Sequence, residues 1–498
     1  MASAPDKPRP TPSAGDPFTL RDAAGLVVVV SVLGSLGYAF VREQLALQHI
    51  ETPLIVDVKT TTTTQTDLCG PLTRDGRPEV ISMLYSNDKR EWIEEAADRF
   101  AKLCPNIQVK ITAMGDIQSA NAILSGEQTP TLWAPADELV LRYLDVRWQK
   151  EKGHGEKLFD MAKRTSIARS PLVFLLWDDR RQVLEAVAKA RPPKQGPWVE
   201  YMCPLVPTNP RLTGMAIEDM VPGKWIDWYN PILPAPQKEP PPWRRKAEPK
   251  PAEEEPTYRA PFPTIGQIRS WGRMKFAHTS PTRSASGLEA LYLMAYDYVL
   301  PPSERSGGEK AGAAEFQRAF TEKRQAFGAW LRRCEAGLDA APESASLLTD
   351  TIFNVGGSRY DGVVTYEHNT FSIFHRFDRF ASAVASMRVL YPQPTIMNDH
   401  PVVFLKLKTN ITEAREVAAG KWVDYLLGEA TQKRAIEFGF RPANPAVSIR
   451  DYDSPQNSFL RFRRYRVQFE DELSEPPRLD GDMVYDLVRV WEDATGRN

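Results

Sequence analysis

Three stretches of this 498-residue chain put small polar residues where an apolar strand pattern should give way to a helix. Ser86-Asn87 follows the run Val80–Tyr85, Ala134-Pro135-Ala136-Asp137 follows Thr131-Leu132-Trp133, and Thr282–Gly287 precedes a helical pattern starting at Leu288. A junction of this kind leaves the first backbone N–H groups of a helix unpaired and presents the positive end of its dipole. It can therefore hold an anionic or strongly polar group. Gly287 would let a backbone approach closely. Each stretch also has a plain structural use: Ser284 or Ser286 can cap the helix from Leu288, and Asp137 can cap the helix that it precedes.

The chain lacks the patterns that would make it an enzyme. There is no G-x-S-x-G elbow, no G-x-x-x-x-G-K-[ST] loop, no G-x-G-x-x-G turn and no H-E-x-x-H helix. The six histidines, at 49, 154, 278, 368, 375 and 400, show no metal-ligand spacing. His368 and His375 read as unrelated surface residues, and His278 and His400 as hydrogen-bonded core residues. Neither a cofactor nor a metal is expected. Cys69, Cys104, Cys203 and Cys334 are too widely spaced for a CxxC zinc site. In an oxidising compartment they allow two disulfides in three pairings. Proximity favours Cys69–Cys104 with Cys203–Cys334, and four buried thiols are the alternative.

The elements that must position the polar junctions follow from periodicity. Strand Val80–Tyr85, an amphipathic helix Asp88–Leu103, strand Ile107–Thr112, a short helix Ser119–Leu124, strand Thr131–Ala134 and helix Asp137–Leu144 alternate with short connections. That order predicts a parallel sheet. A second set comprises helices Leu288–Val299 and Ala314–Cys334, strands Gly362–Tyr366 and Val402–Leu407, and a helix Trp422–Phe438. Residues 231–263 hold 11 prolines and cannot build a core, so they are expected to form a solvated insert. With 63 basic and 64 acidic side chains, nothing favours nucleic acid as a partner.

Residues 23–41, AAGLVVVVSVLGSLGYAFV, are uncharged and apolar. As a helix they would span about 28 Å, against roughly 30 Å for a bilayer core. The run is longer than a cleavable signal core and has no polar stripe. It is expected to be a single-pass signal anchor, with residues 1–22 cytoplasmic, 42–78 a polar Thr-rich linker, and the remainder extracytoplasmic (periplasmic). A cleaved signal and a buried core helix are the alternatives.

The order of the motifs resembles a solute-binding protein of the ABC-transporter type, with the type II periplasmic-binding-protein fold. It is most similar to the molybdate/sulfate-like group and to binding modules associated with von Willebrand A domain proteins. The matching residues run from Leu84-Tyr85-Ser86-Asn87-Asp88-Lys89-Arg90-Glu91-Trp92 through Ala122–Gly126, Pro130–Asp137 and Ser170–Val173. They continue with His278–Leu288, Tyr360–Glu367 and Gly439-Phe440-Arg441-Pro442-Ala443-Asn444-Pro445.

The resemblance implies an α/β fold of two lobes joined by hinge-crossing strands. Lobe one is 79–176 plus 392–498, lobe two is 177–391, and ligand lies in the cleft between them. It implies ligand contacts from Ser86, Asn87, Asp116, Ala136, Asp137, Ser284, Ser286, Gly287, Tyr366 and Glu367, with Tyr366 offering its hydroxyl. The partners it implies are a small-molecule or ion ligand and an ABC permease. A sensing or envelope-assembly module on the same fold is the alternative. Asp116 and Glu367 depart from the oxyanion-binding pattern, because a carboxylate beside a buried anion costs several kcal/mol. A solvent-facing Asp116 or a Glu367 paired with Arg283 would remove that conflict.

Overall fold

The protein is described from a computed structural model covering Cys69 and residues 77–497, apart from 153–156, 192–193, 204, 208–219, 231–260, 307–308, 337–341, 378–385, 408–411 and 470–472. The segment 23–41, most of the linker and most of the Pro-rich insert lie outside the described residues. Among the described residues no helix is long and apolar enough to cross a membrane.

Strands β1 (Glu79–Ser86), β2 (Ile107–Met114) and β3 (Leu132–Ala134) alternate with helices α1 (Arg90–Leu103), α2 (Asp116–Ser125) and α3 (Glu138–Lys152). β1 pairs parallel with β2 and with β3, as the alternation requires. β12 (Pro401–Phe404) then pairs antiparallel with β3, and β4 (Thr165–Ser166) with β12, giving the order β2-β1-β3-β12-β4. α1 buries Trp92, Ile93, Ala96 and Phe100, the stripe that its 3.6-residue period predicts. They pack with Ile81, Met83 and Tyr85 of β1 and with Trp422.

The second sheet is built on β5 (Ala168–Trp177), whose apolar run Leu172–Leu176 is buried throughout, as befits a central strand. Its C-terminal half pairs with β9 (Gly362–Tyr366) and β10 (Met387–Leu390), and β8 (Phe276–Ala277) adds to β9. Its N-terminal half pairs with β11 (Met397–Asn398) and β13 (Arg441–Pro442). The chain thus passes between sheets three times, from β4 into β5, from β11 through Asp399-His400 into β12, and from β12 back to β13. A short antiparallel pair, β6 (Leu205–Pro207) with β7 (Met220–Pro222), stands apart.

Helices α4 (Asp178–Ala190), α5 (Ala285–Val299), α6 (Glu309–Glu335), α7 (Ala345–Val355) and α8 (Glu367–Phe377) belong to this second half. Phe371, Phe374, Phe459, Phe462 and Tyr465 pack on Val173, Leu175 and Val363, so residues 459–465 join this core. A further core spans both sheets, including Leu84 and Trp133 from the first and Phe174 and Leu176 from the second. The C-terminal helix α11, which is Gly481–Thr495 and follows α9 (Glu413–Leu427) and α10 (Glu429–Glu437), contributes Trp491 to it.

The helix expected as one piece over Trp422–Phe438 is two, α9 and α10. Gly428 sits between them with an extended ψ of 144°, ending one helix and opening the next. Cys69 and Cys104 form a disulfide with a Cα–Cα separation of 5.4 Å, whereas Cys203 and Cys334 are buried free thiols.

Candidate functional site

The helix starts converge where the two sheets meet, and the chain's own carboxylates occupy them. Asp116 opens α2 immediately after β2, and Gly115 before it supplies no side-chain cap. The Asp116 side chain is buried and its Oδ1 accepts the Ala136 N–H at 2.9 Å. The Ser86 hydroxyl, the Lys89 ammonium and the N–H of Ala285, first residue of α5, also approach this carboxylate. Asp116 therefore reaches from the first half to a helix start of the second, and it is not solvent-facing. Burial raises its pKa despite these neighbours.

Asp88 makes a parallel link. Its Oδ1 accepts from Ser346 N, near the start of α7, at 3.3 Å and from Asn369 Nδ2 at 3.5 Å. Burial, then the Asp116 charge, push it up to about 7. Lys89, buried beside them, donates to Pro135 O at 2.9 Å, and burial lowers it to about 8.

His368 is buried rather than at the surface, and it ties this layer together. Its Nε2 lies 2.9 Å from Asp88 O, a carbonyl that can only accept, so Nε2 carries the proton. Nδ1 then accepts from Ser170 Oγ at 2.9 Å, and the same oxygen accepts the His368 backbone N–H at 3.2 Å. Burial drops this imidazole to about 3, so it is neutral.

The remaining expected residues fall into two groups. Tyr366, at the end of β9, is buried, stacks on His368 with centroids 5.5 Å apart, and donates to Glu289 Oε1 at 3.0 Å. Asp137 lies at the edge of this layer; its Oδ1 accepts Leu139 N at 2.8 Å, the capping use. Ser86 accepts Asp88 N at 3.4 Å, and Ala136 passes its carbonyl to His400 N at 3.1 Å. These residues come together with Asp116.

The others are occupied elsewhere. Asn87 accepts from Arg90 at 3.1 Å on the outer side of the turn. Ser284 bonds Ser286 at 3.0 Å, and Ser286 bonds Thr279 at 2.7 Å. A Cβ on Gly287 would lie 2.3 Å from Thr279 O, so this glycine admits the 279–281 backbone rather than a ligand. Glu367 is paired not with Arg283, which meets Glu343 on the surface, but with the buried Arg441 (Nε–Oε2 2.7 Å, Nη2–Oε1 2.8 Å). Tyr391 donates to the same carboxylate.

Three buried residues of the layer carry polar atoms with no hydrogen-bond partner: Glu289 at Oε2, Asn398 at both amide atoms, and His400 at both ring nitrogens. Asn398 stands beside Glu289, and the His400 ring meets Tyr366 edge-on at 6.0 Å. His400 also has a φ of 36°, a left-handed backbone that a non-glycine residue adopts at a cost of about 1–3 kcal/mol. Its expected role as a hydrogen-bonded core histidine is not what the structure shows, because neither nitrogen reaches a partner. His278 does fit that role, with Nδ1 2.8 Å from Thr279 O and Nε2 2.9 Å from Glu335. Asp88, Lys89, Ser170, Glu289, His368, Asn398 and His400 were not singled out from sequence as site residues. Asp88, Lys89 and Ser170 do lie within the stretches that carry the resemblance, but nothing local to them marks a buried contact.

No protein-family model matches the chain, and no curated protein matches it. Among solved structures it is similar to a ferric binding protein from Campylobacter jejuni, with 12% identity and a TM-score of 0.44 over 83% of this chain and 98% of that one. A sulfate-binding protein from Mycobacterium tuberculosis H37Rv gives 13%, 0.39, 74% and 88% for the same quantities. The substrate binding protein of an ABC transporter from Agrobacterium tumefaciens gives 11%, 0.41, 85% and 96%. Overlaps this shallow define no family.

Proposed function

We propose that this chain is a membrane-tethered, extracytoplasmic solute-binding protein that closes two α/β lobes around a small ligand and delivers it to an ABC permease. Residues 23–41 are its anchor. The observation that carries the reading is the convergence of helix starts from both sheets (α2, α3, α5 and α7) on one buried polar layer, flanked by the β4–β5 and β11–β12 passages of the chain between sheets. Rotation at 165–171 and 397–404 would open this layer. The Cys69–Cys104 bridge suits an oxidising compartment.

Asp88, Asp116, Asp137 and Glu289 disfavour an oxyanion, because a second buried negative charge would meet theirs. Ligand binding should raise the melting temperature as the ligand concentration rises. A flat response across anions, sugars, amines and metals would remove transport from consideration.

One observation favours a second reading, in which the fold serves sensing or envelope assembly. Asp116 and Asp88 already cap helix starts of the opposite half, as a bound anion would. Affinity capture from membranes separates the two readings: a permease with its ATPase supports transport, and signalling or envelope-assembly proteins support the module.

A further inference from the structure

We infer that the ligand of this layer is a compact primary amine in its protonated form, held by Glu289, Asn398 and His400; the inference rests on the solute-binding reading above. The unpartnered atoms supply the acceptors that an ammonium group needs. Glu289 Oε2, the Asn398 carbonyl oxygen and one nitrogen of a neutral His400 are all buried and without partners. Tyr366 fixes the other Glu289 oxygen, so Oε2 is presented in a defined direction. The Asn398 amide nitrogen faces the Glu289 carboxylate, which leaves the Asn398 carbonyl oxygen for the ligand.

Charge selects among ligand classes. Asp88, Asp116, Asp137 and Glu289 share the layer with one buried ammonium, Lys89. Burial, then the Asp137 charge, push Glu289 well above the usual carboxylate range. A cation lowers that cost, a neutral polyol leaves it standing, and an anion increases it. A metal ion fits poorly, since among the described residues no three His, Cys, Asp or Glu side chains are gathered to ligate one. An ammonium group works through hydrogen bonds at 2.7–2.9 Å instead of a closed coordination sphere.

Space lies close by. A cavity of about 70 Å³ next to the layer is lined by Asp137, Tyr292, Ile396, Met397 and Asp399. Met397 and Asp399 flank Asn398 in the chain and Tyr292 follows Glu289 on α5, while Glu289, Asn398 and His400 themselves stand behind its wall. The left-handed backbone at His400 holds its ring in the layer, the kind of strain that persists where a position has a use beyond packing.

The test uses the full chain purified in detergent. Calorimetry and thermal melts are run with methylamine and 1,4-diaminobutane, against sulfate, molybdate and ribose. Either amine should bind and raise the melting temperature. Glu289→Gln keeps an acceptor for Tyr366 and should weaken amine binding about ten- to a hundredfold, the loss expected for one charge-assisted hydrogen bond. Asn398→Ala should weaken it about three- to tenfold and stands in should the first variant not fold. Response to sulfate, molybdate or ribose but not to amines overturns this inference and leaves solute binding intact. Unchanged amine affinity in Glu289→Gln also overturns it. Silence across the whole panel overturns this inference, and silence that extends to metal ions overturns both.

Discussion

Glu367 and Glu289 are both fully buried carboxylates, and each accepts a hydrogen bond from a buried tyrosine, Tyr391 and Tyr366 respectively. They differ in what else they meet. Glu367 has the two-pronged guanidinium of Arg441, whose Nη2 also donates to Gln468 O at 2.8 Å. Glu289 has acidic neighbours, the Asn398 amide beside it, and an oxygen, Oε2, that no close donor engages. The first arrangement is complete and holds β13 to α8. The second is stable only in so far as its surroundings are, and it is the place where another molecule could improve the balance. Adjacent residues of β9 and α8, Tyr366 and Glu367, point one into each cluster.

The largest effect should come from breaking the complete pair. Arg441→Met leaves Glu367 buried without its counter-charge and should cost about 3–5 kcal/mol in urea unfolding. A loss below about 1 kcal/mol would mean that Glu367 finds compensation elsewhere.

Next comes the pH response of the acidic layer. Asp88 titrates near 7 in the folded protein, above its unfolded value of roughly 3.9, so the native state holds its proton longer. The stability this provides is complete below about pH 4 and is lost as pH rises through about 7. Asp88→Asn should therefore gain on the wild type over that window by a few kcal/mol. Melts at pH 4, 5.5 and 7.5 check this, and a constant difference contradicts it. His368 acts in the opposite sense between about pH 3 and 6.5 in both proteins, so the comparison between them isolates Asp88.

A smaller effect is expected at the incomplete cluster. Glu289→Gln should stabilise the ligand-free chain at pH 7.5 by about 0.5–2 kcal/mol, the usual gain from relaxing a strained site. A destabilised variant would place Glu289 among the structural acids with Glu367. Asn87→Ala, outside both clusters, should change stability by less than about 0.5 kcal/mol in the same melts.

Local patterning made the α/β alternation legible, because strands and helices announce themselves through two different periods. Trp92, Ile93, Ala96 and Phe100 are the buried stripe of α1, and Ser86 and Asp137 do stand at helix starts. The partners across the interface were hidden for a physical reason. Arg441 lies 74 residues from Glu367, and nothing local marks a buried ion pair between them. Asp116, three residues before the helix expected from Ser119, carries no local mark of burial; the N–H of Ala285 in the second half reaches it only in the folded chain. His368 sits on a polar helix start that only the carbonyl of Asp88 turns into an interior position. Gly287 carried a genuine signal of close backbone approach, but the backbone concerned is the chain's own.

His368 has one more consequence. A single ring grips β5, the central strand of the second sheet, through Ser170, and the turn after β1 of the first sheet through the Asp88 carbonyl. An imidazole that gains no charge until about pH 3 makes that joint indifferent to ordinary acidification. Mildly sour surroundings, such as a cell exterior meets, would alter the carboxylates around it while leaving the fastening itself untouched.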